Sequence, residues 1–265
     1  RRRRLLERDM ITEYPLTKPN RLRLARAFRN VPRVDISIEC VLEDQMGKAY
    51  VDDMEYPSAF HIQIGPFHYY AGDALGDGGQ EMLRGFKPYN LFMSASEGWL
   101  EACQSMYGER LIGFDRYSFS SESLSLEHIQ RLARDNRSSP DVKRFDSALL
   151  EKTWGKDHFI DVSDFESPAD FLDRGIGYYM EKDGETIGAA YSSLVCSTGI
   201  EVSLFVSEEH RRQGIATALS AHLLQWCLQN NIDAHWDAAN PESCKLAEKL
   251  GYVSIGSYRA HYLSA

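Results

Sequence analysis

A strand that runs directly into a helix through a glycine constrains the fold of this chain more than any other feature. Residues 199–207, GIEVSLFVS, alternate apolar and polar side chains, which is the pattern of a half-buried strand. In residues 210–219, HRRQGIATAL, Gly214 precedes apolar side chains that recur at every fourth position and continue to Cys227. This spacing predicts an amphipathic helix, so we expect an α/β fold in which this strand and helix are adjacent.

The start of this predicted helix has the properties of an anion site. The N–H groups of a first helical turn have no intrahelical partner and lie at the positive end of the helix dipole. Gly214 allows the main chain to approach a ligand, Ala216 leaves the next turn unobstructed, and Arg211 and Arg212 add positive charge. A pyrophosphate fits this arrangement. The alternative is an ordinary tight turn with solvated arginines.

Other C-terminal segments extend the α/β pattern. Two strand-like segments, IGYYMEKDG and ETIGAAYSSLV, form a predicted hairpin that turns at Asp183-Gly184. Ser125 is placed to cap a helix in SLEHIQRLARD, and RDNRSSPD after it is a polar loop. The remaining predicted elements are a helix in FESPADFLDRG, a strand in DAHWDAA, a helix in PESCKLAEKL and a strand in YVSIGSYRAHYL.

The N-terminal part suggests a second, smaller α/β domain. Strands are expected in ISIECVLED, KAYVDDM and FHIQIGPFHYYAG, and a short helix in LEACQSMYG. GDALGDGG, residues 72–79, lacks the lysine of a phosphate-binding loop and is expected to be a turn. With strand-like LIGFDRYSF starting near Leu111, the predicted domains are residues 1–110 and 111–265.

Charge and cysteine content exclude several classes of protein. The net charge is −9, and because residues 1–30 hold ten Lys/Arg against three Asp/Glu, the rest carries −9 − 7 = −16. Such an acidic body disfavours nucleic acid as a partner and favours a small cationic substrate. The basic RLRLARAFR segment is expected to be a helix with Leu22, Ala25 and Phe28 packed beneath it. Five dispersed cysteines without a CxxC pair predict neither a disulfide framework nor a zinc site.

Targeting signals are not evident. No apolar run has the length needed to cross a bilayer, so no membrane association is expected. The opening RRRRLLERDM has no apolar segment behind it and does not resemble a secretory signal. We therefore expect a cytoplasmic protein, and the sequence does not indicate its oligomeric state.

The motif resembles a known coenzyme signature. RxxGxA at Arg211, Gly214 and Ala216, followed by HWDAAN and LAEKLGY, is similar to the acetyl-CoA signature of the GNAT N-acetyltransferase superfamily. More narrowly, the chain from Val34 to Tyr262 resembles a bacterial branch that includes zwittermicin A resistance enzymes. The segments that carry this resemblance are VDDMEYPSAFHIQIGPFHYYAGD, RYSF, IEVSLFVSEEHRRQGIAT and WDAANPESCKLAEKLGY.

The resemblance implies a fold, an activity and a coenzyme site. It implies a C-terminal GNAT acyl-CoA N-acyltransferase fold with a mixed sheet, and acetyl-CoA-dependent acetylation of a small amine without a metal. Pantetheine would lie where the fourth and fifth strands splay apart, along Leu204 and Val206. Asn240 and Ser243 match positions that often bind pantetheine, and capping of the last helix is the alternative for Asn240. Main-chain groups would bind the pyrophosphate at Arg211, Arg212, Gln213, Gly214, Ile215, Ala216 and Thr217.

The acetyl transfer itself requires a base, an oxyanion donor and a proton for the leaving thiolate. The resemblance assigns the oxyanion to the N–H of Leu204. Glu201, on the strand face opposite the apolar series, is the expected base, although its register differs by one residue from the glutamate of some relatives. A structural carboxylate in an ion pair is the alternative for Glu201.

No residue is clearly assigned as the acid. The tyrosine common in the superfamily is replaced by Ala247, and Tyr252 is expected in the core. Tyr179, Tyr191 and Ser203 are substitutes by residue type alone, and unassisted departure or a proton from water are further alternatives. No catalytic role is expected for three of the cysteines, Cys196, Cys227 and Cys244, because none has an adjacent histidine. Two histidines, His210 and His235, are expected to be structural.

Two other functions remain open from the sequence. A non-catalytic acyl-CoA sensor would retain the anion site and explain the absent tyrosine. An enzyme acting on protein amines would need a wide groove, which the additional N-terminal domain disfavours because it would more readily narrow access to the site.

Overall fold

The structure is a computed structural model that describes residues 10–93, 97–156 and 158–265. These residues form two compact units. The first unit holds the described residues up to Arg33, Val41–Phe114 and Arg259–Ala265, and the second holds Val34–Cys40 and Asp115–Tyr258. The predicted boundary near residue 110 falls close to the break after Phe114, but each unit also takes one short segment from beyond that boundary. The basic cluster Arg1–Arg4 lies outside the described residues.

The chain is mixed α/β, as predicted. The α-helices of the described residues are α1 (Lys18–Ala27), α2 (Ser37–Leu42), α3 (Asp77–Arg84), α4 (Glu97–Tyr107), α5 (Leu126–Arg134), α6 (Ser147–Thr153), α7 (Pro168–Arg174), α8 (Ile215–Gln229) and α9 (Pro241–Leu250). The strands are β1 (Thr12–Glu13), β2 (Lys48–Val51), β3 (Ala59–Ile64), β4 (Phe67–Gly72), β5 (Leu91–Phe92), β6 (Leu111–Ser120), β7 (Lys143–Arg144), β8 (Gly177–Lys182), β9 (Glu185–Cys196), β10 (Gly199–Val206), β11 (Asp233–His235), β12 (Asp237–Ala238) and β13 (Val253–Leu263).

The first unit is a mixed, mostly antiparallel sheet with an aromatic core. Strands β1 to β4 pair in order, β5 lies parallel to β4, and His261 and Tyr262 of β13 pair with β5. Tyr70 stacks on Trp99 at 5.0 Å between ring centroids, and Phe92 lies 5.1 Å from Tyr70 on the sheet. These large buried rings give the small unit its core.

The second unit places α8 against a five-stranded sheet. Strands β7, β8, β9 and β10 are antiparallel neighbours, and β11 joins β10 in parallel. The predicted hairpin is confirmed, with Asp183 and Gly184 both at positive φ in the turn. The apolar face of α8 is buried as predicted, at Ile215, Leu219, Leu223 and Cys227. Ile200 of β10 is buried in the same core.

The predicted strand in ISIECVLED is wrong, because most of this segment forms α2. Asp35 Oδ1 accepts a hydrogen bond from the Ser37 N–H at 2.8 Å, which holds the entry to the helix. The apolar residues Ile38, Val41 and Leu42 have helical spacing, although the β-branched composition suggests a strand. This local capping outweighs the strand propensity of the segment.

The predicted turn in GDALGDGG is only half correct, because α3 begins at Asp77 within it. Asp73 Oδ1 accepts from the N–H groups of Leu75 and Gly76, and this turn precedes the helix. Glycine is required at Gly79 for close packing rather than for chain reversal. A Cβ there would lie 2.2 Å from the main-chain oxygen of Asp73.

The helix predicted in RLRLARAFR is confirmed as part of α1, and Phe28 is buried as predicted, but the predicted burial of Leu22 is wrong. Leu22 is 58% exposed, and Leu24 and Phe28 are buried at i and i+4. Among the described residues, no helix has both the length and the apolar character needed to traverse a bilayer.

Gly79→Ala is expected to lower the free energy of unfolding by about 1–3 kcal/mol, because the added methyl group overlaps main-chain atoms. Gly98→Ala in α4 is the control, since a Cβ there meets nothing within 4 Å. Urea unfolding of both variants measures the difference. Equal stability of the two variants would contradict the packing argument.

Candidate functional site

Strands β10 and β11 diverge after a short parallel pairing. They pair only from Gly199 to Glu201 on β10 and from Asp233 to His235 on β11. After Trp236 the chain changes partner, and β12 pairs with Tyr117 and Ser118 of β6. The single predicted strand DAHWDAA is thus two strands. In the described chain, residues 202–206 of β10 have β9 on one side and no strand on the other.

Two interactions hold the chain at Trp236 and Asp237, where its pairing with β10 has ended. The Trp236 side chain lies in the core, where its Nε1 donates to Ser243 Oγ at 3.2 Å. Asp237, which follows it, accepts from Arg116 Nη2 at 2.7 Å, and both side chains are largely buried. Breaking one partner of such a buried ion pair is strongly destabilising, so the pair fixes the new direction of the strand.

The open edge of β10 presents the groups predicted to bind pantetheine. The Ser207 N–H donates to Ile187 O, and Ser193 Oγ donates to Glu201 O, so odd-numbered residues direct their main-chain groups toward β9. Since these groups alternate along a strand, those of Leu204 and Val206 are directed to the opposite, open edge. Arg211 Nε reaches Val206 O at 3.4 Å on that edge.

The start of α8 offers unpaired main-chain donors. Arg212 and Gly214 have left-handed backbones, with φ of 62° and 82°. Within the described chain, no protein group accepts a hydrogen bond from the N–H groups of residues 212–217. Arg211, Arg212 and Gln213 are exposed, whereas Ile215 is buried beneath them. This arrangement matches the predicted anion site in its geometry.

A polar loop supports this helix start without blocking it. Asn136 Nδ2 donates to Gly214 O at 2.9 Å, and Ser138 Oγ lies 3.4 Å from Gln213 O. Both bonds use main-chain carbonyls and leave the N–H groups available. RDNRSSPD was predicted only as a polar loop, and its polar composition was the sole signal for this role.

Glu201 and His235 form a buried pair at the point of divergence. They are direct cross-strand neighbours, and His235 Nδ1 lies 2.8 Å from Glu201 Oε2. The Ile36 N–H also approaches this carboxylate, at 3.4 Å. Their side chains are 12% and 24% exposed. Ser193 of β9 is an extra residue opposite Glu201 and Val202, and the resulting bulge raises the local twist.

Burial and the charge of the partner shift the pKa of both Glu201 and His235. Burial raises the pKa of Glu201 to about 7, although the charge and hydrogen bond of His235 oppose that shift. Burial opposes charging of His235, but Glu201 and the further carboxylates of Asp35 and Asp237 outweigh it and raise the pKa of His235 to about 9. A carboxylate with a pKa near neutrality is suited to proton transfer.

The sequence did not indicate the partners of Glu201. His235 was expected to be structural, and Asp35, Asp237 and Arg116 were not singled out. Asp35 directly precedes the segment wrongly predicted as a strand. Strand alternation was the available signal that Asp237 lies on the same face as His235. Ala234 and Trp236 face the core, so His235 and Asp237 face the opposite side.

Several predicted coenzyme contacts are used by the protein itself. Asn240 Oδ1 accepts from the Ser243 N–H at 2.9 Å, the capping interaction that was the alternative to a role in pantetheine binding. Ser243 Oγ accepts from Trp236, as described above. The buried Thr217 accepts from Lys249 Nζ at 3.1 Å. For these three residues a coenzyme contact stays a prediction.

Of the substitutes for the absent acid, Tyr191 is engaged by main-chain groups. Tyr191 OH accepts from the Asp161 N–H at 3.0 Å and lies 3.2 Å from Phe159 O. Tyr252 is in the core, as expected, and its hydroxyl donates to Ala234 O. Burial raises the pKa of Tyr179. Ala247 is fully buried.

The cysteines differ in their surroundings. Burial raises the pKa of Cys227 to about 12 and also raises the pKa of Cys244. Cys40 and Cys196 are neighbours that share a hydrogen bond, which raises the pKa of Cys40 and lowers the pKa of Cys196 to about 6. No group of three or more metal-binding side chains occurs among the described residues.

Most of the chain matches a known protein family. The family model described as GNAT acetyltransferase matches residues 29–261, which is most of the chain. The chain belongs to the GNAT acetyltransferase family. As a member of this family, it is an N-acetyltransferase homologue whose donor is an acyl-CoA.

Individual relatives support the family assignment. This GNAT acetyltransferase is 24% identical to the "Uncharacterized N-acetyltransferase YdfB" of Bacillus subtilis, over 82% of this chain and 85% of the relative. A GCN5-related N-acetyltransferase-like protein from Streptococcus suis is 29% identical, with a TM-score of 0.80, and the match covers 92% of this chain and 98% of that chain. A GNAT-family acetyltransferase from Colwellia psychrerythraea shares the fold alone, with 11% identity, a TM-score of 0.51, and coverage of 96% and 99%.

The charged form of His235 should stabilise the GNAT acetyltransferase. Its folded pKa of about 9 exceeds the ordinary value of 6.5 for histidine, so the stabilisation is fully present below pH 6.5 and is lost as the pH rises through 9. The raised pKa of Glu201 affects the stability at lower pH, between 4.5 and about 7. Between pH 7.5 and 9.5 the wild type should therefore lose on the order of 2 kcal/mol more stability than His235→Gln.

Urea unfolding at the two pH values measures this difference. His128→Gln is the control, because that side chain is exposed and lies outside the pair. An identical pH dependence in the wild type and His235→Gln would refute the buried ion pair.

Proposed function

We propose that this protein transfers the acetyl group of acetyl-CoA to an amine of a small molecule, with Glu201 as the base. One observation carries the proposal: main-chain groups without a protein partner occur along the open edge of β10 beyond Glu201 and again, after a short turn at Glu208–His210, at the N–H groups of residues 212–217. A ligand that uses both sets would reach from the start of α8 to a buried carboxylate.

The residues present suit acetyl-CoA. The diphosphate would bind to the main-chain N–H groups from Gln213 to Thr217, with Arg211 and Arg212 adding charge. Pantetheine would pair with the main chain of Leu204 and Val206 as an additional strand. When bound, the thioester supplies an activated acetyl group.

The chain's own groups would then perform the transfer. Glu201 would take a proton from the acceptor amine, and His235 would keep Glu201 ionised by its positive charge. The Leu204 N–H would donate to the carbonyl oxygen on which negative charge develops. The contacts given above identify no side chain of the described residues as the acid, so we propose that water protonates the leaving thiolate.

The class of acceptor is supported by charge. Residues 31–265 carry a net charge of −16 by the count above, and Glu201 lies among further carboxylates. A small cationic amine suits both features better than a neutral substrate. The narrower resemblance to zwittermicin A resistance enzymes is consistent with an antibiotic or metabolite as the acceptor, an association at the level of the fold.

Gly214→Val is expected to weaken CoA binding at least about tenfold, a loss of roughly 1.4 kcal/mol, because a β-branched residue disfavours the left-handed backbone and its Cβ would lie 3.2 Å from Asn136 Nδ2, which disturbs the helix start. Isothermal titration calorimetry with CoA measures the change in Kd. Gly184→Val is the matched control, because Gly184 also has a left-handed backbone, with φ of 79°, but lies in the distant hairpin turn. Equal loss of affinity in both variants, or in neither, would count against the diphosphate site.

Glu201→Gln is expected to lower kcat by about 10²- to 10⁴-fold with little change in CoA affinity, since the amide cannot accept a proton. In the wild type, the rate should rise as the pH passes about 7, where Glu201 ionises, and this step should vanish in the variant. Thiol release over a panel of small amines measures both effects.

Glu185→Gln, at an exposed hairpin position, is the control for this experiment. CoA binding without thiol release from any amine in the wild type would instead favour a non-catalytic acyl-CoA sensor. Activity on peptides but not on small amines would favour an enzyme that acts on protein amines.

A further inference from the structure

The carboxylate of Asp237 has one crowded and one unpaired oxygen. Its Oδ2 accepts from Arg116 Nε at 2.9 Å, from Arg116 Nη2 at 2.7 Å and from Tyr258 OH at 2.8 Å. Its Oδ1 is buried and has no hydrogen-bond donor among the described residues. The side chain is only 4% exposed. Leaving a buried acceptor unsatisfied is unfavourable, so Oδ1 is suited to a donor supplied by a ligand.

Asp237 lies on the same face as the proposed base. Ala234, Trp236 and Ala238 are in the core, and His235 and Asp237 alternate with them on the opposite face. Two residues of a strand span about 6.6 Å, so Asp237 is one such step beyond the Glu201–His235 pair. This step occurs where the chain stops pairing with β10 and begins to pair with β6.

The charge of this face favours a cationic donor over a neutral one. Besides burial, which is the larger cause, the negative charge of Asp35 raises the pKa of both Glu201 and Asp237. Arg116 and Tyr258 act on the other oxygen of Asp237, and His235 is engaged by Glu201. An ammonium group at Oδ1 would satisfy the acceptor and offset the charge of the carboxylates. A hydroxyl group would satisfy only the hydrogen bond.

We propose that the acceptor is a diamine or a related dication: one nitrogen reacts beside Glu201, and a second ammonium group binds Asp237 Oδ1, two residues along the chain from the partner of Glu201, His235. Asp237 is then a specificity-determining residue. The inference rests on the proposed function, because it takes the nitrogen at Glu201 as the one that is acetylated.

The test compares diaminobutane with butylamine, which differ by the second amine. Thiol release with acetyl-CoA should give the wild type a kcat/KM about 10- to 100-fold higher for diaminobutane, the range expected for one charge-assisted hydrogen bond. Asp237→Asn should reduce this ratio to near one. Asp233→Asn is the matched control: it lies two residues before His235, and its Oδ1 accepts from Ser121. That variant should keep the wild-type ratio.

Calorimetry with the same two amines on the CoA-saturated protein separates the two proposals. Equal kcat/KM for both amines in the wild type would overturn the second cationic site and leave the acetyltransferase proposal standing. If neither amine releases thiol, preferential binding of diaminobutane that is lost in Asp237→Asn would support the site and count against the proposed function. Binding without preference would overturn the site. The wild-type comparison decides this even if Asp237→Asn does not fold.

Discussion

The divergence of β10 and β11 after the Glu201–His235 pair is the constraint on which the rest of the site depends. A parallel pair of strands normally satisfies the main-chain groups on its facing edges. Here the pairing stops at Glu201, and the partner strand turns toward β6, where Arg116 and Asp237 hold it. The edge of β10 from Val202 to Val206 is therefore left with hydrogen-bonding capacity that only a ligand or solvent can use.

The same divergence explains why the acidic residues are buried. Glu201 and His235 lie at the last paired position, and Asp237 lies just beyond it. Each carboxylate has a cationic partner, His235 or Arg116, which offsets part of the cost of removing the charge from water. That compensation is incomplete at Glu201, whose pKa is raised to about 7. A site that keeps a carboxylate near its point of ionisation at neutral pH is equipped to accept a proton and release it again.

The sequence predicted much of the fold because its signals are local. Alternation in β10, spacing of apolar residues in α8 and the turn at Asp183-Gly184 each depend on neighbouring residues, and the structure confirms all three. The helix α2 and the split at Trp236 were not predicted. In α2 the local signals conflict, because the bond from Asp35 to Ser37 and the helical spacing compete with the strand propensity of the segment, and the split depends on the choice of a distant partner strand.

The candidate site was predicted in the same uneven manner. The position of the proposed anion site follows from a strand, a glycine and a helix in succession, and the structure has all three in that order. The partners of Glu201 come from the residue before α2, Ile36, and from β11, which are far apart in the chain, and no spacing rule connects them. The cap role of Asn240 was foreseen as an alternative because Asn is favoured at that position whether or not a ligand binds.

A crystal structure with bound CoA would show whether the coenzyme occupies the start of α8 and the open edge of β10. We expect the diphosphate within hydrogen-bond distance of the N–H groups of Gln213 to Thr217, and pantetheine along the open edge at Leu204 and Val206. Coenzyme bound elsewhere, with the main-chain donors of the helix start facing only solvent, would contradict this expectation.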